Sequence, residues 1–325
     1  MKKGIAALFL FILVFVCTEL FTFSSATNEP ADKARPDTSG SKKNYYISAI
    51  ELPADLNFAG EKIPLDLFDI HERMDKELLI NTYWQSQTLL LLKRASRWFP
   101  LIEPILKSNN VPDDFKYLAV AESGLQNVVS PAKASGYWQF LSAAGKKYGL
   151  EISDEVDERY HIEKATEAAC RYLLDANKEL GSWTLAAAAY NMGTEGVKKQ
   201  LEKQRVKNYY DLLLNEETSR YIFRLVALKE IFFHPALYGY HLRKKDLYPA
   251  IPFTTVMVDS SVSNLVDFAG ANNITFKTLK LFNPWLRQNT LTNPSRKEYF
   301  IKIPDPRFDY GDFLRNGMAN VDSVN

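Results

Sequence analysis

Pro112-Asp113-Asp114-Phe115-Lys116-Tyr117-Leu118-Ala119-Val120-Ala121-Glu122-Ser123 is the stretch on which the fold turns. The proline followed by two acids reads as a helix start, since carboxylates in the first turn favour the positive end of the helix dipole. The run Tyr117 to Ala121 is apolar and ends in a carboxylate, Glu122, the only one between Asp114 and Glu151.

Working outward, helical spacing of apolar residues continues on both sides. Before this stretch, Leu78, Leu79, Tyr83, Trp84, Leu89, Leu92, Trp98, Phe99, Ile102, Ile105 and Leu106 suggest two helices between Asp69 and Asn109, broken near Pro100 or Pro104. After it, Ile162 to Leu180 carries Ala165, Ala168, Ala169, Tyr172, Leu173 and Ala176 on one face; Gly181 stops it and Ser182 is placed to cap Trp183 to Asn191. Glu216 to Phe233 is a further amphipathic helix, ended by Pro235. Residues 46–250 therefore read as helical throughout, with no hairpin dipeptide between alternating strands. Beyond Pro249 the pattern changes: Phe253 to Val258 and Tyr299 to Pro304 read as strands, Ser263 to Ala269 and Thr275 to Leu281 as short helices. A βααβ order in so few residues implies a small separate module. The expected organisation is an export signal at 1–26, a flexible leader at 27–45, a catalytic domain at 46–245, the module at 250–305 and a loose tail at 306–325.

The chain has 40 Lys and Arg against 39 Asp and Glu and no long basic run, which argues against a nucleic-acid partner. With 46% hydrophobic residues it can bury a sizeable core, so wholesale disorder is excluded. Cys17 and Cys170 lie far apart, and His71, His161, His234 and His241 form no close pair, so neither a metal site nor a cofactor is expected. Met1-Lys2-Lys3-Gly4, the apolar run Ile5 to Cys17 and the small residues Ser24-Ser25-Ala26 read as a secretory signal. An uncleaved anchor and acylation at Cys17 are the alternatives; Glu19 inside the stretch argues against the first and the bulky Val16 against the second. The expected location is the periplasm or the membrane-associated cell envelope.

A lone acid in apolar surroundings has its pKa raised, because desolvation disfavours the charged form, and a carboxyl still protonated near neutrality can protonate a glycosidic oxygen. A Glu at a helix end is ordinarily a solvated cap. What singles out Glu122 is the ordered set around it: Ser123, Ser130, Gly136-Tyr137-Trp138-Gln139-Phe140, Tyr148-Gly149-Leu150, Ala187-Ala188-Ala189-Tyr190-Asn191 with Gly193, and Glu217-Thr218 with Tyr221. Over roughly residues 85–240 this set resembles the soluble lytic transglycosylase family, most closely its membrane-bound lytic murein transglycosylase D group.

The resemblance implies a goose-type, lysozyme-like, mainly α catalytic domain acting on peptidoglycan glycan strands. It implies cleavage of the bond between N-acetylmuramic acid and N-acetylglucosamine, with a 1,6-anhydro-N-acetylmuramic acid end. It also implies that Ser130 and Gln139 line the sugar groove, that Tyr190 lies close to Glu122 and orients it or the reacting sugar, and that Asn191 is a further polar groove residue. Ordinary glycoside hydrolysis needs two carboxylates; here the sugar's own C6 hydroxyl is the internal nucleophile, so one acid can serve twice. Asp113 and Asp114 lie about two turns from Glu122, at ~1.5 Å per residue too far to reach the same carbon, whereas Glu151, Asp157 or another acid could arrive through the fold.

The chain departs from the family in two places. Ser130 follows Glu122 by eight positions rather than nine, and Asp157-Glu158-Arg159-Tyr160-His161 lacks a later aspartate that relatives pair with arginine. The C-terminal module resembles LysM, a βααβ glycan-binding repeat, through Val256-Met257-Val258, Leu265, Phe268-Ala269, Leu279, Asn283-Pro284 and Ile303-Pro304. The rival expectations are a goose-type lysozyme hydrolysing the same bond and a non-catalytic cell-wall binding protein.

Overall fold

The structure, a computed structural model, describes residues 47–316. The export signal, the leader and residues 317–325 of the expected tail lie outside the described residues. The chain divides into Met1–Ser48 and Ala49–Asn325, and the elements below all belong to the second unit.

A short hairpin comes first, β1 (Asn57–Phe58) against β2 (Glu61–Lys62), antiparallel. It corrects the reading of 46–250 as helical throughout. Ala59 and Gly60 turn it with φ of 52° and 82°, the two successive positive values that match the right-handed twist of a hairpin. The hairpin buries Phe58, and the Glu61 carboxylate reaches across the molecule to accept from the backbone N–H of Trp183 and Thr184 at 2.6 and 3.0 Å.

Helix α1 (Phe68–Tyr83) and helix α2 (Gln85–Ser108) follow. The break between them falls at Trp84, not at the prolines. Pro100 and Pro104 sit one turn apart on the exposed side of α2, where water can satisfy the carbonyls they leave unpaired, while Ile102 and Leu106 hold the other side in the core. At the true break the Thr88 hydroxyl donates to Asn81 O at 2.5 Å and the Tyr240 hydroxyl to Thr82 O at 2.5 Å. Those hydroxyls replace the helical bonds that Trp84 interrupts.

After one 3-10 turn (Asp113–Phe115) comes α3 (Lys116–Ser123), then α4 (Ser142–Lys147), α5 (Ile162–Leu180), α6 (Trp183–Met192), α7 (Thr194–Gln204) and α8 (Glu216–Phe233). Gly181 ends α5 at φ 73°, and Ser182 caps α6 by accepting from Leu185 N–H, as their residue types dictate. Ala165, Ala168 and Ala169 of α5 and Ala186 to Ala189 of α6 are buried, so small side chains let the two helices approach closely. Through the centre runs α8, burying Ile222, Phe223, Leu225, Val226, Leu228 and Ile231. The first-turn acids of the decisive stretch face away from the chemistry: Asp113 pairs with Lys116 at 2.6 Å, and Asp114 with Lys229 at 2.7 Å.

The C-terminal module is β3 (Phe253–Val258), α9 (Leu265–Ala271), α10 (Phe276–Phe282) and β4 (Tyr299–Pro304), with β3 and β4 antiparallel from Phe253↔Pro304 to Val258↔Tyr299. It is less separate than its sequence suggests. Its core of Leu265, Ala269, Leu279, Trp285, Leu286, Leu291 and Ile301 also takes in Val156 and Tyr160 of the helical domain. Asp157 N–H donates to Trp285 O at 2.9 Å, Glu151 meets Lys297 and the Tyr299 hydroxyl, and Lys302 pairs with Glu163. Within the tail expected to be loose, Tyr310–Asn316 forms a short helix, α11, whose Asp312 and Arg315 (3.8 Å apart) pair one turn apart. No helix among the described residues is long and apolar enough to cross a membrane.

The loop between α3 and α4 makes a sharp demand on one residue. Gly136 adopts φ 81°, and a Cβ there would stand 1.9 Å from the Arg159 carbonyl oxygen. Gly136→Ala is expected to lower unfolding stability by about 2 kcal/mol or more, read from the urea midpoint; an unchanged midpoint contradicts this packing.

Candidate active site

The site begins where α3 stops. Ser123 closes the helix with its hydroxyl, whose one proton is shared between Ala119 O at 3.0 Å and the nearer Tyr137 O at 2.7 Å. Gly124 and Leu125, at φ 59° and 57°, then turn the chain away. This leaves Glu122 on the last turn, half-buried at the wall of a cleft of about 1040 Å³. Ser123 is thus a structural brace between helix and loop.

The loop 124–140 folds back on itself to form one wall. Ser130 Oγ accepts from Ala134 N–H at 3.1 Å, and Gln139 Nε2 donates to Gly136 O and Val128 O at 2.7 and 3.0 Å. Arg159 locks the loop from behind: it pairs with Asp157 at 2.7 Å and donates to the carbonyls of Lys133 and Phe140 at 3.1 and 3.2 Å. The chain lacks the later aspartate expected from the family pattern, and Arg159 pairs instead with the aspartate two residues before it. Trp138 is fully buried, with its indole N–H on the Thr166 hydroxyl at 2.9 Å, and so serves the core.

The structure brings Glu122, Ser130, Gln139, Tyr190 and Asn191 to this one cleft. Their contacts differ from expectation at Tyr190. Its hydroxyl donates to Trp138 O at 2.8 Å, and its ring packs edge-on against Tyr172 and Phe140. The hydroxyl that reaches the acid belongs to Tyr221, which donates to Glu122 Oε1 at 2.5 Å. Asn191 ties α6 to α8: its Oδ1 accepts from the Thr218 hydroxyl at 2.8 Å, and its Nδ2 meets Glu217 at 3.5 Å.

In the sequence Glu217 and Tyr221 stand out only as parts of a motif, and Arg220 and Arg224 do not stand out at all. Glu217, Arg220, Tyr221 and Arg224 line the cleft and recur at the spacing of one helix face. A polar stripe on an otherwise apolar helix was the available signal. Glu77, almost fully buried, enters the cleft from α1 and pairs with Arg220 at 2.6 Å. Trp84, exposed at the helix break, adds an aromatic surface at the same cleft. Neither Glu151 nor Asp157 lines it.

The electrostatics favour a protonated Glu122. Burial pushes its pKa above the usual carboxylate value and the negative charge of Glu217 adds to this; the Tyr221 hydrogen bond and the Arg224 guanidinium pull the other way without reversing it. Tyr190 and Tyr221 are both held well above the usual phenol value by burial and by the nearby carboxyl, so each remains a neutral hydroxyl. Among the described residues no group of three or more His, Cys, Asp or Glu is placed to hold a metal ion.

Comparison with known proteins matches residues 100–213 to the transglycosylase SLT domain and residues 254–307 to the soluble lytic transglycosylase C-terminal LysM-like domain. Over 272 residues, 81% of this chain, it is 28% identical to membrane-bound lytic murein transglycosylase D of Escherichia coli strains K12 and O6:H1. A putative tributyltin chloride resistance protein of Alteromonas sp. is 28% identical over 122 residues, 37% of this chain and 59% of its own length. The chain spans 58% of the length of the two Escherichia coli relatives. The five cleft residues expected from sequence all fall inside the first matched segment, whereas Tyr221 falls beyond it. The chain carries a transglycosylase SLT domain, mainly α and lysozyme-like, followed by the LysM-like domain of soluble lytic transglycosylases.

Proposed function

We propose that the chain is an exported peptidoglycan lytic transglycosylase of the cell envelope, periplasmic or membrane-associated, and that Glu122 is its acid and then its base. The observation that carries this is the Glu122 carboxyl, desolvated at a cleft wall with its pKa raised and one oxygen already engaged by Tyr221. With Oε1 accepting from Tyr221, the proton is left to Oε2, free to face the glycosidic oxygen between N-acetylmuramic acid and N-acetylglucosamine. Proton transfer to that oxygen accompanies C1–O bond cleavage. The carboxylate so formed takes the proton from the sugar's O6, which closes on C1 to give the 1,6-anhydro end. An internal nucleophile of this kind can act at an effective concentration on the order of 10⁵ M or more, so no second carboxylate is required. In this reading Ser130, Gln139 and Asn191 are groove residues, and Tyr190 is a fixed aromatic wall.

One observation favours a second reading, hydrolysis of the same bond. Glu217 is exposed at the cleft and lies close enough to raise the pKa of Glu122, so it could activate a water as the second acid of a lysozyme. Mass spectrometry of digested sacculi separates the readings: anhydro-muramic ends support the first, reducing ends the second, and no release at all supports a cell-wall binding protein. Glu122→Gln is expected to abolish clearing in a zymogram, while Glu217→Gln stays within about tenfold of the parent; collapse of Glu217→Gln would favour hydrolysis.

The same substitution has a stability signature. A carboxyl whose folded pKa lies above its unfolded value stabilises the fold fully below the unfolded pKa and loses that contribution as pH rises through the folded pKa. Glu122→Gln removes this penalty, so its Tm at pH 8 should equal or exceed that of the parent, with the difference shrinking on acidification. A lower Tm at pH 8 contradicts the burial argument.

Tyr221 acts through Glu122. Removing its hydroxyl takes away a bond that favours the carboxylate, so the pKa of Glu122 rises further and the protonated form persists to higher pH. Tyr221→Phe should move the basic limb of the kcat/KM profile upward and lower the rate at the optimum by about tenfold, as one charge-assisted hydrogen bond is lost. A basic limb that stays or moves down would overturn this role.

A further inference from the structure

A second cleft, of about 540 Å³, lies between the helical domain and the C-terminal module, on the far side of the loop that follows Glu122. Its volume falls in the range of small-molecule sites, and such sites prefer domain interfaces. The α2 face supplies Arg94, Arg97 and Trp98, the module supplies Phe253, Lys280, Trp285 and Lys302, and the connecting segment supplies Tyr248. That segment is strapped in place: Arg97 Nε donates to Pro249 O at 3.1 Å, and Tyr248 N–H donates to Lys93 O at 3.2 Å.

The lining is unbalanced in charge. Four cationic side chains line the cleft and no carboxylate does. Lys302 is matched by Glu163 just outside it. Arg94, Arg97 and Lys280 have no carboxylate within ion-pair distance among the described residues; their hydrogen bonds go to the backbone carbonyls of Gly124, Pro249, Leu286 and Gln288. Burial and the nearby Arg287 hold the Lys280 pKa below its usual value, the mark of a cation short of a counter-charge. Aromatic rings back the lining: the partly exposed Trp98 meets the buried Tyr137 edge-on at 5.0 Å, and Tyr160 and Trp285 are buried in the same wall.

Cations that meet no anion, set among aromatic faces, call for a ligand with carboxylates on a body rich in C–H and amide groups. We propose that this interdomain cleft is a second binding site, distinct from the catalytic cleft, for a muropeptide: an N-acylated amino sugar bearing a short peptide with free carboxylates. The choice of ligand class rests on the proposed function, since cutting peptidoglycan releases such fragments; the site itself rests on its charge and shape. Position gives it reach. Leu125, Gln126 and Asn127 line this cleft three to five residues after Glu122, and the Tyr137 carbonyl behind it holds Ser123.

The test is equilibrium binding of N-acetylmuramyl-L-alanyl-D-isoglutamine to the full chain carrying Glu122→Gln, followed by the fluorescence of Trp98 and Trp285. Saturable binding is expected that weakens with salt. Arg97→Gln and Lys280→Met should each weaken it about tenfold, as the loss of one charge-assisted contact does, and Arg97→Lys should restore most of it. Uncharged chitotriose should not compete.

Absence of saturable binding overturns the proposal. So does binding that both neutralising variants leave intact, because the ligand would then occupy the catalytic cleft. Equal affinity for the sugar-free L-alanyl-D-isoglutamine overturns the glycopeptide assignment. The two readings fail separately: sacculus digestion without this binding refutes the second site alone, and binding without digestion refutes the activity alone.

Discussion

The withdrawal of the Glu122 carboxyl from water, tempered by one hydroxyl from Tyr221, is the constraint that the helical domain is built to satisfy. Burying an unpaired carboxylate costs several kcal/mol, and the group escapes that cost by holding its proton. The fold keeps the balance there through α3, whose Leu118, Ala119 and Val120 are packed inside the core, so that its last turn cannot drift toward solvent. From the opposite side α8 presents Tyr221, close enough to fix one oxygen, and Arg224, whose charge moderates the shift without cancelling it. Stronger charge compensation would give an ordinary carboxylate; none would leave the acid without orientation.

What could be read from the sequence follows the range of the forces involved. The stop at Gly181 and the cap at Ser182 depend on residues a few positions apart and are legible in the chain. So is the lone acid at the end of an apolar helix, and so is the order of the βααβ module. What escaped is long-range. The break at Trp84 is held in part by the Tyr240 hydroxyl, which reaches Thr82 O from 158 positions along the chain, and nothing local at Trp84 announces it. The hairpin at Ala59-Gly60 lacks the usual turn dipeptides and is held by Glu61 bonding to a helix start more than 120 residues later. Of the two tyrosines near the acid, sequence favoured Tyr190; the choice of Tyr221 depends on how α8 is rotated against α3, which only packing decides.

The module's attachment shows the same economy. Asp157 accepts from Arg159, which pins the groove loop, and its own backbone N–H holds Trp285 of the module. Glu151 and Glu163, on either side, bind Lys297 and Lys302. One segment, residues 151–163, therefore braces the cleft wall on one face and the LysM-like domain on the other. Acids that sequence left open as second catalytic groups, Glu151 and Asp157, are used for this bracing. At the departure from the family pattern, Arg159 pairs with Asp157 and also holds the loop through the Lys133 and Phe140 carbonyls.

The central claim is that one particular carboxyl keeps its proton where others have lost theirs. A carbon-13 NMR titration of the glutamate side-chain carboxyls, with Glu122 assigned by the resonance missing from Glu122→Gln, reads this directly. The account predicts a midpoint for Glu122 displaced upward from those of the exposed glutamates in the same spectrum. A midpoint among them, or below, would mean that the cleft does not desolvate the acid and would contradict the account.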